Sequence, residues 1–403
     1  MIDIHRYRDD ATLKKKVLQT IYERGQVSRG ELTEILGMGL TSVTKYVGSL
    51  LGEGIIIECG AMESAVGRKP NLLGINPEYA YILGADIGGY AAKLGVVRMD
   101  GSIVEDWFIR PLEDKVPVTS MEPDGLIRFI ARIFKKYGRD RFMAICVGIS
   151  GMVDHEKGTV VFCPNLSGWD DVNLADLLTA SFGLPAFVDT SARCMALAEQ
   201  RYGAGTGVRD QVFVSLGYYG IGSALIMNGS LYRGYSGFAG EIGHVMSSNR
   251  GVRCTCGNYD CLELSSTLKM IVVGISRRLK GVQGYSPLLR LLPQDWSEKD
   301  ITPQIIGQAI EEGDKLCYEA VETAGRHTGI ALSNLLNVIN PGLVILGGSV
   351  IELFPGMLDI IGRTIRERVL VPVLRDLEVR KAKMDWRGAV VGSSVMAQME
   401  FFR

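Results

Sequence analysis

Long apolar runs are missing from this chain. The longest, around residues 343–346, fall far short of the ~20 consecutive residues that a membrane-spanning helix requires. An excess of either charge is missing too: 44 Lys and Arg face 45 Asp and Glu, for a formal net charge of −1. That balance excludes a polycation coating nucleic acid over its whole surface, though not a local DNA-reading face. His5, Arg6, Arg8, Asp9 and Asp10 precede any apolar stretch, which is not a signal-peptide pattern, and a cytoplasmic protein is expected. No GxxxxGK[ST] phosphate loop and no basic cradle for a triphosphate occur. Cysteine is thinly spread outside one segment. Cys59, Cys146, Cys163, Cys194 and Cys317 stand singly and are expected to be small buried apolar groups.

What is present describes a folded chain of more than one domain. Apolar residues make up 47% and charged residues 22%, a composition that supports a packed interior. Its 403 residues exceed what one ordinary core organises, so two or three domains are expected.

The first domain is expected over residues 1–78. Leu13, Val17, Leu18 and Ile21 recur at helical spacing, and Gly25 closes that helix. Ser28, with Glu31 three residues on, forms a capping box for a second helix carrying Leu32, Ile35 and Leu36. After Gly37 and Gly39, Thr41 or Ser42 is expected to cap a third helix with Val43, Val47, Leu50 and Leu51 inward. Two helices joined by a glycine-bearing turn make a helix-turn-helix unit. Strand-like runs at 55–58 and 71–75, flanking a polar loop, make it winged. The outward face of the third helix offers Ser42, Thr44, Lys45 and Ser49, groups suited to bases and phosphates in a major groove. Arg68 and Lys69 in the wing loop are the expected minor-groove or phosphate contacts. Residues 1–80 hold ten basic and ten acidic side chains, so charge alone does not separate DNA binding from a helical protein-interaction module.

Beyond residue 80 the pattern turns to strands. Runs at 81–86, 91–98 and 102–109, with Asp100-Gly101 at a turn, return 130 residues later as 211–216, 222–227 and 230–233, with Asn228-Gly229 at the turn. Two such openings predict a duplicated α/β body of the actin-like, ribonuclease-H-like kind, with a cleft between the copies. The first copy is placed at 79–199, completed by a C-terminal helix in 386–403, and the second at 200–385. Residues 144–149 and 343–346 read as buried strands, and 318–338 as a long helix.

Cys254, Cys256 and Cys261 crowd into eight residues, and His244 stands ten, twelve and seventeen residues before them. Three thiolates and an imidazole are a tetrahedral Zn²⁺ set, and Gly251 and Gly257 allow the tight loop that brings neighbouring cysteines to one ion. With no open position apparent, a structural zinc is expected on His244, Cys254, Cys256 and Cys261. A redox pair or a chance cluster are the alternatives.

These segments carry a resemblance. Ala239-Gly240-Glu241, Ile242-Gly243-His244, Cys254-Thr255-Cys256-Gly257 and Cys261-Leu262-Glu263 closely resemble the ROK family of repressors, open reading frames and kinases. Asp86-Ile87-Gly88-Gly89 is similar to its first phosphate loop, Pro164–Trp169 to its sugar-contacting loop, and Asn340-Pro341 with Gly347-Gly348 to its adenosine-side motif. Ser28-Arg29, Glu31-Leu32 and Gly67-Arg68-Lys69-Pro70 resemble the repressor branch. The resemblance implies sugar contacts at Asn165, Glu241, His244 and Glu263; the alternative is that the two glutamates only support the zinc loop. It also exposes departures. Family kinases carry Asn-Asp-Ala-Asn where this chain has Thr190-Ser191-Ala192-Arg193, so the base position is Ser191, a hydroxyl too weak for the task. If the segment stays extended, Asp189 faces the same way and is the one substitute. Threonines of the two phosphate loops are replaced by Tyr90 and Tyr219, bulky where backbone N–H groups should approach phosphate.

The expectation is therefore a sugar-responsive transcriptional regulator, a repressor without catalytic residues. It would bind operator DNA as a homodimer or homotetramer, sense a small-molecule sugar and have no membrane partner. An ATP-dependent sugar kinase with an appended DNA-binding head is the competing reading, and a zinc-stapled scaffold the third.

Overall fold

The computed structural model describes residues 13–61, 71–110, 122–281 and 286–402. At the N-terminal end, helix α1 (Leu13–Arg24) is followed by strand β1 (Val27–Ser28), α2 (Arg29–Leu36), α3 (Leu40–Gly52), β2 (Ile56–Ala61) and β3 (Asn71–Ile75). The capping box is present: Glu31 N–H donates to Ser28 Oγ at 3.2 Å and Ser28 N–H to Glu31 Oε2 at 2.8 Å. Gly37 ends α2 at φ 61°, in the left-handed region where glycine is at home. The expected cap of α3 is corrected. The cap is Gly39, two residues before Thr41 and three before Ser42, with no side-chain bond, so Thr41 and Ser42 already lie in the first turn. The three strands form an antiparallel sheet in the order β1-β3-β2, which is the wing expected beside the helices. A bulge between Glu58 and Gly60 leaves Cys59 without a register partner. Cys59 is therefore exposed, against expectation, whereas Cys146, Cys163, Cys194 and Cys317 are buried.

Two five-stranded sheets follow, and they share one design. The first has the order β11-β7-β4-β5-β6, built from β4 (Tyr81–Ile87), β5 (Ala92–Arg98), β6 (Ile103–Ile109), β7 (Phe142–Ile149) and β11 (Ala186–Thr190). The second has the order β14-β13-β12-β15-β16, from β12 (Gln211–Leu216), β13 (Ile221–Met227), β14 (Ser230–Tyr232), β15 (Leu343–Gly347) and β16 (Glu378–Lys381). In each, a three-stranded antiparallel meander is extended on its first strand by two parallel strands. The parallel strands β7 and β15 and the leading strand β4 are buried along their whole length, which explains sequences that are apolar throughout except for Asp86 near the end of β4. A small sheet of β8 (Met152–Asp154), β9 (Thr159–Phe162) and β10 (Val172–Asn173) follows β7.

The helices cover these sheets. In the first half they are α4 (Pro123–Tyr137), α5 (Leu174–Phe182) and α6 (Ser191–Tyr202), in the second α7 (Leu268–Leu279) and the long α8 (Lys315–Ile339). Helix α8 starts three residues before the sequence expectation because Asp314 accepts from Cys317 N–H and caps it. The last helix, α9 (Gly388–Phe402), returns to the first sheet and packs on β4, β5, β7 and α6. Glycine sets that approach: a Cβ at Gly392 would run into the Cys194 carbonyl, and one at Gly84 into the Val390 carbonyl. One buried apolar cluster runs from Val17, Leu18, Ile21 and Tyr22 in α1 through Ile82 and Cys146 to Val395, Met396, Phe401 and Phe402 in α9. The head and the first sheet thus share a core.

Candidate functional site

The cysteine cluster is built by a loop that holds itself. Isolated bridges pair Met246 with Cys261 and Arg253 with Tyr259. Asp260, buried and at φ 54°, accepts from Gly251 N–H at 2.8 Å, Val252 N–H at 3.2 Å and Ser248 Oγ at 3.0 Å. Ligand atoms of His244, Cys254, Cys256 and Cys261 all lie within 4.8 Å of one another. Cys256 Sγ and Cys261 Sγ are 3.7 Å apart, close to the ~3.8 Å tetrahedral edge implied by a Zn–S bond of about 2.3 Å. These four residues form a group that could hold a metal ion. His244 turns Nδ1 toward Cys254 Sγ at 4.0 Å, which leaves Nε2 available to a ligand.

The cleft side of that loop carries the sugar-site candidates. Glu263 Oε1 accepts from Ile221 N–H at 2.8 Å. A Cβ at Gly220 would stand 3.1 Å from Glu263 Oε1 and 4.0 Å from Asn165 Nδ2, so both side chains flank this bare stretch of backbone. Burial pushes the carboxyls of Glu241 and Glu263 up, while the His244 imidazole beside both opposes the rise. Asn165 lies in a loop pinned by the buried Trp169 and by Cys163 N–H donating to Asp170 Oδ1 at 2.6 Å. Asn165, Glu241, His244 and Glu263 are therefore brought together, from both halves of the body.

Ser191 opens α6, and arginines engage both oxygens of Asp189. Ser191 Oγ donates to Asp86 Oδ1 and lies 3.3 Å from Ser150 Oγ. Lys93 Nζ donates to the other Asp86 oxygen at 2.7 Å. The alternation that would align Asp189 with Ser191 stops where β11 ends and α6 begins. Asp189 is fully buried, with one oxygen on Arg193 at 3.0 Å and the other on Arg233. Arg193 is missing from the sequence-derived set. Its guanidinium also donates to the carbonyls of Gly237, at 2.6 Å, and Ala239, at 3.1 Å, the turn that leads into Glu241 and His244. A buried arginine one turn into a helix leaves no periodicity signal, so only its charge amid apolar neighbours could have marked it.

The two tyrosines meet the first glycine loop. Tyr90 stacks on Tyr218, with ring centroids 5.0 Å apart and planes 17° from parallel, and Tyr218 packs edge-on against Tyr219 at 4.6 Å. Tyr219 Cδ2 would lie 3.4 Å from a Cβ at Gly89. Aromatic rings thus bridge the two lobes, with Tyr219 beside Gly89 and Tyr218 as the partner that sequence reading omitted. On the head, Ser42, Thr44, Lys45 and Ser49 are all exposed on one face of α3, opposite the buried Val43, Val47 and Leu50. Arg68 and Lys69 lie outside the described residues.

Duplicated sheets and a cysteine-histidine loop flanked by Glu241 and Glu263 define a class. The pattern of the ROK family matches residues 82–400, and the chain belongs to that family. Among its relatives is the xylose repressor of Caldicellulosiruptor bescii, 29% identical over 388 residues, which are 95% of this chain and 94% of that protein. Among solved structures, a ROK family transcriptional regulator homologous to Escherichia coli Mlc superposes with a TM-score of 0.79 at 26% identity, covering 96% of each chain. A ROK family glucokinase from Streptomyces griseus, in complex with glucose and AMPPNP, reaches a TM-score of 0.68 at 27% identity. That match takes in 100% of the kinase but 79% of this chain, a share whose length is that of the body without its head.

Proposed function

We propose that this protein is a sugar-responsive transcriptional repressor. Its head, residues 1–78, binds operator DNA through Ser42, Thr44 and Lys45 of α3 and through Arg68 and Lys69. Its body, 79–199 with 386–403 and 200–385, senses a sugar through Asn165, Glu241, His244 and Glu263. One observation carries the reading: a chain with a winged head has Ser191 bonded to Asp86 at the position where family kinases place their base. The full-length likeness to a xylose repressor supports it, because that match includes the head. The Tyr90–Tyr218 stack supports loss of phosphoryl transfer by occupying the room beside the first glycine loop.

The His244, Cys254, Cys256 and Cys261 set suits Zn²⁺, whose role would be to cross-link the loop and hold the imidazole still. A protein of this kind works in the cytoplasm, as a homodimer or homotetramer on an inverted repeat. Sugar shifts operator affinity only by binding two arrangements of the lobes unequally.

A screen of hexoses, pentoses and amino sugars, with and without Mg-ATP, tests the reading. The expected result is a rise in melting temperature with at least one free sugar, a changed affinity for selected operator DNA, and no ADP release. Robust ADP release establishes the kinase instead. Failure of every sugar to alter melting or operator binding ends the sensing claim.

A further inference from the structure

Helix α6 has one end at the cleft and the other on the head. At its first turn, Ser191 is bonded to Asp86, and Arg193 grips the Gly237 and Ala239 carbonyls ahead of Glu241 and His244. At its last turn, Arg201 reaches α1. Its Nη2 donates to the Tyr22 carbonyl and its Nη1 to that of Glu23 at 3.3 Å, two carbonyls at the open C-terminal end of α1. The same guanidinium lies 4.6 Å from the centre of the Tyr22 ring. That ring packs on Phe402 at 4.6 Å, and its hydroxyl meets the Val395 carbonyl at 3.5 Å. A cation on helix-end carbonyls and over an aromatic face combines two favourable interactions in one side chain.

Between its ends α6 is stiff. Cys194 presses its carbonyl against Gly392 of α9, so the two helices touch backbone to backbone. Buried Glu199 accepts from Ala204 N–H at 2.6 Å and Met384 N–H at 2.7 Å, fixing the chain just after α6 and just before α9. Twelve residues of helix span about 18 Å, and a rod of that length moves as one piece.

We infer that Arg201 is the positioning residue through which occupancy of the cleft reaches the DNA-binding head. A ligand drawn onto Glu241, His244 and Glu263 pulls the turn held by Arg193. The pull passes along α6, and Arg201 delivers it to the end of α1, which packs against α3 in the head's core. This inference rests on the proposed sugar-responsive reading and adds the route.

The test uses full-length protein, operator DNA selected from a random pool by the wild type, and a panel of D-xylose, D-glucose and N-acetyl-D-glucosamine. Arg201→Met keeps the stem on the Tyr22 ring and removes the donors. Arg201→Lys keeps a charge that reaches one carbonyl. In the wild type, sugar is expected to change operator affinity about 5-fold or more. Arg201→Met is expected to bind DNA as tightly as wild type without sugar, and to raise its melting temperature with sugar as wild type does. Its operator affinity should nonetheless stay unchanged on adding sugar, and Arg201→Lys should recover part of the response. A full response in Arg201→Met overturns the inference and assigns the route to α9 alone. Loss of DNA binding by Arg201→Met without sugar also overturns it, because Arg201 then builds the head. A wild type that answers to no sugar removes the sensing reading itself, and this inference with it.

Discussion

Ser191 shows how much one residue decides. A carboxylate there would face a ligand hydroxyl as a base, whereas a serine hydroxyl donates its proton to Asp86, whose other oxygen Lys93 holds. In the proposed reading, restoring an acid at this point alone is not expected to restore a catalyst. Ser191→Asp sets a second carboxylate against Asp86 in a partly buried site, where like charges disfavour each other. The variant is expected to release no more ADP than wild type in a coupled assay. It should lose stability by about 1–3 kcal/mol in urea unfolding. Asp189 cannot assist, because Arg193 and Arg233 take both of its oxygens.

Among the elements, α2 depends most visibly on local chemistry. Its eight residues are too few to be stable alone, and the Ser28–Glu31 box supplies two of the bonds its first turn lacks. Ser28→Ala is expected to cost about 1 kcal/mol, read as faster hydrogen exchange over residues 29–36. The box also carries a pH dependence. The Ser28 N–H and hydroxyl hold the Glu31 carboxyl below the ordinary glutamate value. A carboxylate depressed in the folded state stabilises above its unfolded value and loses that contribution as pH falls through the folded one. The protection of α2 amides, once corrected for the intrinsic pH dependence of exchange, should therefore fall on acidification in the wild type, and less so in Ser28→Ala. Helix α3 contrasts with it. Gly39 provides no side-chain cap, so packing of Val43, Val47 and Leu50 holds the helix in place.

In the whole molecule, the cysteine loop belongs to the second lobe, while the head is joined to the first through α1, α6 and α9. Disturbing the loop should therefore spare the head. If the cluster holds zinc as proposed, Cys256→Ala, or treatment of the wild type with a strong chelator, is expected to remove it, read by elemental analysis. It should also lower the melting temperature and abolish the response to sugar. Operator binding without sugar should remain near the wild-type value. Equal loss of both functions would mean that the two lobes and the head unfold together.

Much of this protein was legible in its amino acids. The capping box, the two hairpin turns, the doubled meander and the His-Cys cluster each depend on residues near in sequence or on a strict period, so the chain alone determined them. Loop glycines and cysteine spacing likewise determined the cluster before any fold was known. The fate of Asp189, the exposure of Cys59, the pairing of Tyr90 with Tyr218 and the grip of Arg201 on α1 were different. Each depends on partners tens to hundreds of residues away, or on where a strand stops or bulges. No local pattern encodes those choices. The bulge in β2 decided Cys59, the meeting of the two lobes decided the tyrosines, and the packing of α6 against α9 and the head decided Asp189 and Arg201, because close backbone contact and buried charge there admit few arrangements.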